Sequence, residues 1–322
     1  MTMAGVEITD THIHALLPSH LPGRAPRTTT RQLRAPGHAE LAVQLRATLA
    51  TLAEGQPGGI AAVGIAVPAT DPATADLLAT AAGIPTQLVR PAQALAAAES
   101  RHGAARGAHR TAAVLIDADL TAALTTADTT GARWGHTVIE FSGRRCSCGA
   151  RGCLAAYVSA PAILARHHQM THALTPAGTR PTSTGPASST GPASSAGAGA
   201  EVRAALAEVV ASAERSAPAR WVLSQTAAYL GAGIANLVNL VDPDHVVIGG
   251  WAGLLLGADL LPEIRTAVAD HTSGTSGCQP RTAIQLARLG PAAIALGAAE
   301  LAADQLSSPP ATRRPLATAA PR

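Results

Sequence analysis

Apolar and polar residues alternate through Gly5 to Leu17, GVEITDTHIHALL, around a polar centre, which predicts two short strands joined by a turn. The next segment, HLPGRAPRTTTRQL, is long enough for a third strand, although its Pro and Gly residues count against one. From Ala39 to Ala53 the period changes, and Leu41, Leu45, Leu49 and Leu52 recur at helical spacing. Ile60 to Val67, IAAVGIAV, is a continuous apolar run suited to a buried strand. A helix over Ala73 to Ala82, a strand over Thr86 to Val89 and a helix over Ala92 to Arg101 follow. This alternation argues for an α/β lobe with substantial parallel pairing.

Ala112 to Ile116 and Leu120 to Thr125 predict a hairpin that opens a second lobe. After Pro161 to His168 the pattern breaks. Thr175 to Ala200 contains a tandem STGPASS and no large apolar residue, so it cannot bury enough surface to offset its chain entropy. A disordered insertion over 175–200 is expected. Helices are predicted at Glu201 to Ser212 and Ala219 to Val241, then a strand at His245 to Ile248, a Gly-Gly turn and a helix from Leu254. A strand at Thr282 to Ala287 and a closing helix over 291–306 complete the fold. The expected organisation is an N-terminal lobe over 1–111 that receives the closing helix, a C-terminal lobe over 112–290, and a flexible tail over 307–322.

A chain of 322 residues has room for two lobes, and with aromatics at only 2% the interior must be filled by alanine, leucine and valine. All 24 basic residues are arginine, a bias that fits a GC-rich genome. The net charge of +3 does not imply a nucleic-acid surface. No apolar run approaches the ~20 residues needed to cross a bilayer, and MTMAGVEITD lacks the features of a signal peptide. Few cysteines, most of them clustered, suit a reducing cytoplasm.

That cluster is the strongest chemical signal. His136, Cys146, Cys148 and Cys153 follow the spacing H-x9-C-x-C-x4-C, with Gly149 and Gly152 giving the loop freedom to turn around an ion. One imidazole and three thiolates form the donor set that zinc takes in tetrahedral coordination, and a full set of four leaves no place for water. A structural zinc in loop 136–153 is therefore expected, with Cys278 an ordinary thiol.

The stretch GH…CxCGxxGCL followed by AYVSAPAI resembles the signature of the ROK family of repressors, open reading frames and sugar kinases. The likeness continues through Tyr229 to Gly250 and Leu289 to Ala302. It implies two lobes of the actin-like, ribonuclease-H-like α/β ATPase fold, with sugar and ATP meeting in the cleft. The family's Asp-x-Gly-Gly-Thr phosphate turn corresponds to Glu7, Thr9, Asp10 and Thr11, which keep a carboxylate and a hydroxyl but neither glycine. The resemblance puts Pro91 where the family's catalytic Asp stands, and Pro cannot accept a proton; Gln93 replaces a sugar-binding Asn. The glycine-rich second phosphate hairpin becomes Asp117 to Ala123, DADLTAA. The sugar-gripping Gly-Glu-x-Gly-His becomes Ala132 to His136, which keeps His136 and loses the Glu, and a further expected Glu is Ala155. Gly249 and Gly250 match the adenosine-side turn, where they serve equally as a plain strand-to-helix turn; Trp251 beside them either stacks on an adenine or fills its place.

Two other histidine patterns stand in the sequence. Asp10, His12 and His14 form D-x-H-x-H, similar to the opening metal motif of amidohydrolases, but those enzymes are TIM barrels and many need a carbamylated lysine that this chain cannot supply. His168 and His172, one helical turn apart, read as a solvated helix end. ROK repressors carry a winged helix-turn-helix ahead of the first lobe; with the first strand starting near Gly5, no direct DNA binding is expected from this chain. The expectation is thus a sugar-sensing or regulatory ROK protein, homodimeric, without a membrane partner, that takes a small sugar or sugar phosphate. The alternative is an ATP-dependent sugar kinase, for which ATP and Mg2+ would be the added cofactors.

Overall fold

The computed structural model describes residues 2–19, 25–33, 37–68, 71–125, 133–174, 195–272 and 282–307. The first lobe holds β1 (Met3–Ile8), β2 (His12–Leu17), β3 (Arg27–Gln32), α1 (His38–Ala53), β4 (Ala62–Ala66), α2 (Pro72–Ala82), β5 (Thr86–Val89) and α3 (Pro91–His102). Its five-stranded sheet runs β3-β2-β1-β4-β5, with β1, β2 and β3 antiparallel and β4 and β5 parallel to β1. The edge strand β3 carries Arg and Thr residues, which discourages a further strand from pairing there. Central β4 is buried along its whole length, as its unbroken apolar run requires. In α2, Asp71 accepts a hydrogen bond from the Thr74 N–H at 3.0 Å at one end, and Gly83 takes a left-handed φ of 67° at the other.

The second lobe holds β6 (Thr111–Ile116), β7 (Leu120–Leu124), α4 (Ala155–Val158), α5 (Ala160–Leu174), α6 (Ser195–Ala211), α7 (Ala217–Val241), β8 (His245–Gly249), α8 (Trp251–His271) and β9 (Ala283–Leu286). Its four-stranded sheet runs β7-β6-β8-β9. A short 3-10 turn at Gly290–Ala292 then leads into α9 (Ala293–Ser307).

Each lobe has its own apolar core. A third core lies between the sheets and joins Ala66 and Val89 of the first to Ala113, Leu115 and Ala123 of the second, through Ala94 and Leu95 of α3 and Ala298 of α9. Backbones pass very close in this layer. A Cβ on Gly64 would lie 1.9 Å from the Ala298 carbonyl oxygen, and one on Gly297 would lie 1.8 Å from that of Ala94. A sequence rich in alanine and poor in aromatics suits such close packing.

The structure corrects several boundaries. Helix α6 begins at Ser195, so the last residues of the insertion expected to be disordered over 175–200 are helical; residues 175–194 lie outside the described residues. Helix α8 starts directly after Gly250 and not at Leu254. The closing helix proper is α9, and Ser307, assigned to the tail, is its last residue; residues 308–322 and Cys278 lie outside the described residues.

Candidate functional site

The loop from His136 to Cys153 folds back on itself through isolated antiparallel bridges, Val138 to Cys153 and Arg145 to Arg151. The Cys146 N–H donates to the Ala150 carbonyl at 2.8 Å, and the Gly149 N–H to the Cys146 carbonyl at 3.0 Å, which curls the chain between the cysteines. Gly149 (φ 90°) and Gly152 (φ 72°) occupy left-handed conformations, and a Cβ on Gly152 would lie 1.8 Å from the Glu140 carbonyl oxygen. The loop rests on Trp134, whose indole N–H donates to the Gly233 carbonyl of α7 at 3.3 Å.

This fold gathers one ligand atom each from His136, Cys146, Cys148 and Cys153 within 4.8 Å of one another. The His136 Nδ1 lies 3.5 Å from the Cys146 Sγ, and the Sγ atoms of Cys148 and Cys153 are 3.7 Å apart. Tetrahedral bonds of about 2.3 Å to sulfur and about 2.0–2.1 Å to nitrogen would set those separations near 3.6 and 3.8 Å. The four groups can therefore hold a metal ion. Cys146 and Cys153 are buried while Cys148 is exposed, so one edge of the cluster faces solvent. Burial and the neighbouring thiols push Cys153 up to about 12, a proton that an incoming metal must displace.

The cleft residues sit elsewhere. Glu7 lies near the end of β1, and the turn after it is closed by Thr9. The Thr9 Oγ1 accepts from the backbone N–H groups of Thr11 (3.3 Å) and His12 (3.0 Å), while the Thr9 N–H donates to the His12 carbonyl at 2.9 Å. Two backbone donors of this turn are thus already bonded within it. The Thr11 hydroxyl meets the His12 Nδ1 at 2.7 Å.

Across the cleft, Asp117 follows β6, and its Oδ1 accepts the Trp251 N–H at the start of α8 at 2.7 Å. Gly250 takes a φ of 83°, and a Cβ there would lie 2.8 Å from that Oδ1. Gly249 packs on Leu95 of α3. The Arg203 guanidinium lies 4.7 Å from the centroid of the Trp251 ring, so a cation from α6 already stacks on this aromatic surface. Burial, then the nearby Asp117 carboxylate, raise Glu7 to about 8 despite Arg203; burial raises Asp117 to about 7, against the opposing Trp251 N–H. Burial, His12 and Arg203 lower His14. The structure thus brings Glu7, Asp117, Gly250 and Trp251 to one region.

Pro91 opens α3 at its first turn, preceded by Arg90, and Gln93 is half-buried in the same turn. His136, expected in both metal and sugar roles, points its Nδ1 at Cys146. Ala132 lies outside the described residues. On α5, His168 and His172 face each other at 2.8 Å between their Nε2 atoms, on an exposed stretch. The bonding role of Thr9, the capping role of Asp117 and the stacking of Arg203 were not read from the sequence. A Thr heading a turn is the one local signal for the first, and the other two are long-range.

Comparison with known proteins accords with this geometry. A family model described as ROK family matches residues 71–305. The ROK hexokinase of Thermus thermophilus has a TM-score of 0.70 at 22% identity, over 95% of this chain and 99% of its own. A ROK family transcriptional regulator, described as a homolog of the E. coli MLC protein, has a TM-score of 0.70 at 19% identity, over 94% of this chain and 78% of its own. At such identities the likeness speaks for the fold, which is the two-lobed, actin-like ATPase fold of ROK sugar kinases. The xylose repressor of Caldicellulosiruptor bescii is 28% identical over 176 residues, 54% of this chain and 40% of the repressor; the match therefore spans less than half of that relative's length. No described helix is long and apolar enough to cross a membrane. With the family model matched over most of its length and both lobes in the family's arrangement, the chain belongs to the ROK family.

Proposed function

We propose that this protein is a sugar-sensing, regulatory ROK protein that has lost phosphoryl transfer and keeps a structural zinc. The observation that carries this reading is the turn after β1. Its Thr11 and His12 N–H groups bond to the Thr9 Oγ1, so they are not free to cradle a phosphate. The Asp117 carboxyl on the Trp251 N–H supports it, because its Oδ1 already takes a backbone donor at the start of α8, where the helix dipole would favour a phosphate. Pro91 adds the absence of a proton acceptor at the position that the family resemblance gives to the base.

Zinc is the metal that suits His136, Cys146, Cys148 and Cys153 by donor type and spacing. With four protein ligands it would hold the loop and take no part in chemistry. The relatives point to a sugar as the effector class, and the xylose repressor puts xylose among the candidates. Calorimetric titration with xylose, a set of hexoses and N-acetylhexosamines, each with and without ATP and magnesium, tests the reading. Binding of a sugar that is indifferent to ATP and magnesium is expected. Sugar affinity that depends on ATP and magnesium would instead favour a kinase.

The second reading, an ATP-dependent sugar kinase, rests on Asp117. A carboxyl raised to about 7 in the cleft is poised to exchange a proton near neutral pH and could serve as a base in place of the missing Asp.

A further inference from the structure

Only two tyrosines, three tryptophans and one phenylalanine occur in the chain. Both tyrosines and Trp221 nevertheless converge on one groove of about 440 Å3 between the metal loop and α7. Tyr157 and Tyr229 stack with ring centroids 4.2 Å apart, and Trp221 is 48% exposed. Among them lies Arg166 of α5, only 5% exposed, with its guanidinium carbon 5.6 Å from the Tyr229 centroid, 5.8 Å from Trp221 and 6.0 Å from Tyr157.

The hydrogen bonds of this arginine are one-sided. Its Nη1 donates to the Tyr157 carbonyl at 2.9 Å and to the Thr226 Oγ1 at 3.2 Å. Among the described residues its Nε and Nη2 have no hydrogen-bond partner, yet neither is sealed from solvent; that edge opens onto the groove. No carboxylate of the described residues lies within ion-pair distance of Arg166. Glu140, the acid that lines the same groove, is engaged by the hydroxyls of Tyr229 (2.8 Å) and Tyr157. A buried cation without a direct ion pair is costly, and a planar N–H fork is the shape that pairs with an oxyanion through two parallel bonds. Burial also lowers the proton affinity of Arg166, and the nearby Tyr229, Tyr157 and Glu140 offset only part of this. The exposed indole of Trp221 and the amide of Gln225 give the groove a flat apolar wall and a polar rim. Arg144 adds a second positive charge, although its Nη2 is held by the Gln169 Oε1 at 2.7 Å.

We propose that this groove is a second ligand site, for a small molecule that carries a carboxylate or phosphate on a ring. The oxyanion pairs with the free edge of Arg166 and the ring lies against Trp221. The site is separate from the cleft between the lobes and does not depend on whether the protein phosphorylates sugars.

Titration of the full chain with glucuronate, glucose 6-phosphate, inorganic phosphate and glucose, read by calorimetry and by tryptophan fluorescence, tests the proposal. The first two probes separate a carboxylate ligand from a phosphate ligand. At least one of them should bind with a Kd below about 1 mM, and about tenfold or more tighter than either glucose or phosphate alone. Arg166→Lys keeps the charge and loses the fork, and should weaken that binding about tenfold or more. Trp221→Ala, at an exposed position that should not disturb folding, should weaken it and remove the fluorescence response. The proposal is overturned if neither ring oxyanion binds at about 10 mM. It is equally overturned if binding is as tight in Trp221→Ala, or in a folded Arg166→Lys, as in the wild type.

Discussion

Glu99 offers the sharpest energetic test of how the lobes are joined. It is fully buried near the end of α3, and no cation of the described residues pairs with it. Its Oε2 accepts the Ala104 N–H at 2.6 Å, and its Oε1 accepts those of Arg288 (2.8 Å) and Leu289 (3.0 Å). One carboxylate thus ties α3 to the loop that follows it and to the segment between β9 and α9. Hydrogen bonds to a charged group contribute about 1.5–3 kcal/mol each, and water entering the vacated space would offset part of the loss. Glu99→Ala should therefore cost about 3–5 kcal/mol. At about 2 °C per kcal/mol for a chain of this size, the melting temperature should fall by about 6–10 °C. Glu99→Gln keeps the shape, but its amide nitrogen must face at least one N–H donor, so about 2–3 kcal/mol is expected. Thermal and urea unfolding measure the loss, and amide exchange should accelerate at Ala104, Arg288 and Leu289. A Glu99→Ala protein within about 1 kcal/mol of wild type would refute the reasoning, because the buried Ala104 N–H and the part-buried N–H groups of Arg288 and Leu289 would then lose their acceptor at no cost.

Three further outcomes are expected. Untagged protein should carry about one zinc per chain, and Cys148→Ser or chelation should lower the melting temperature by more than ~5 °C. Because Cys148 is exposed, that loss would report the metal and not a cavity; metal analysis well under half an equivalent would contradict the site. Glu7, raised to about 8, and Asp117, raised to about 7, bind protons more tightly in the folded chain than at their unfolded values near ~4. The stability they contribute is fully present below pH ~4 and is lost as pH rises towards 8; Glu7→Gln should flatten this decline, and an unchanged slope of melting temperature against pH would count against it. Gly64→Ala would place a Cβ 1.9 Å from the Ala298 carbonyl oxygen, so α9 must shift; expression as stable as wild type would show that the layer is looser than described.

The gathering of His136 with Cys146, Cys148 and Cys153 was legible in the sequence because they lie close together in the chain and glycines mark the turns between them. The strand-helix alternation was legible for the same reason, since period and punctuation are local. What escaped was set by distant contacts. Glu99 reads as the polar end of an alanine-rich helix, and only its meeting with Arg288 and Leu289 reveals a structural carboxylate. Ser195 to Ala200 has no large apolar residue to signal a helix, yet α6 starts there. Trp251 was singled out by its position, but its Arg203 neighbour lies far away in sequence. The gathering of Tyr157, Trp221 and Tyr229 around Arg166 likewise joins three helices, α4, α5 and α7, that no local pattern links.

The central claim, a ROK cleft that no longer transfers phosphate, is tested most directly by turnover of purified protein with ATP, magnesium and the sugar that binds it best. The account predicts no sustained phosphorylation at the rate of an ordinary enzyme, in the wild type or in Pro91→Asp, because restoring a carboxylate leaves the turn at Thr9 and the Asp117 cap in place. A wild-type turnover near ~10 s⁻¹ would contradict it and would assign the proton transfer to Asp117 or to Asp119 beside it.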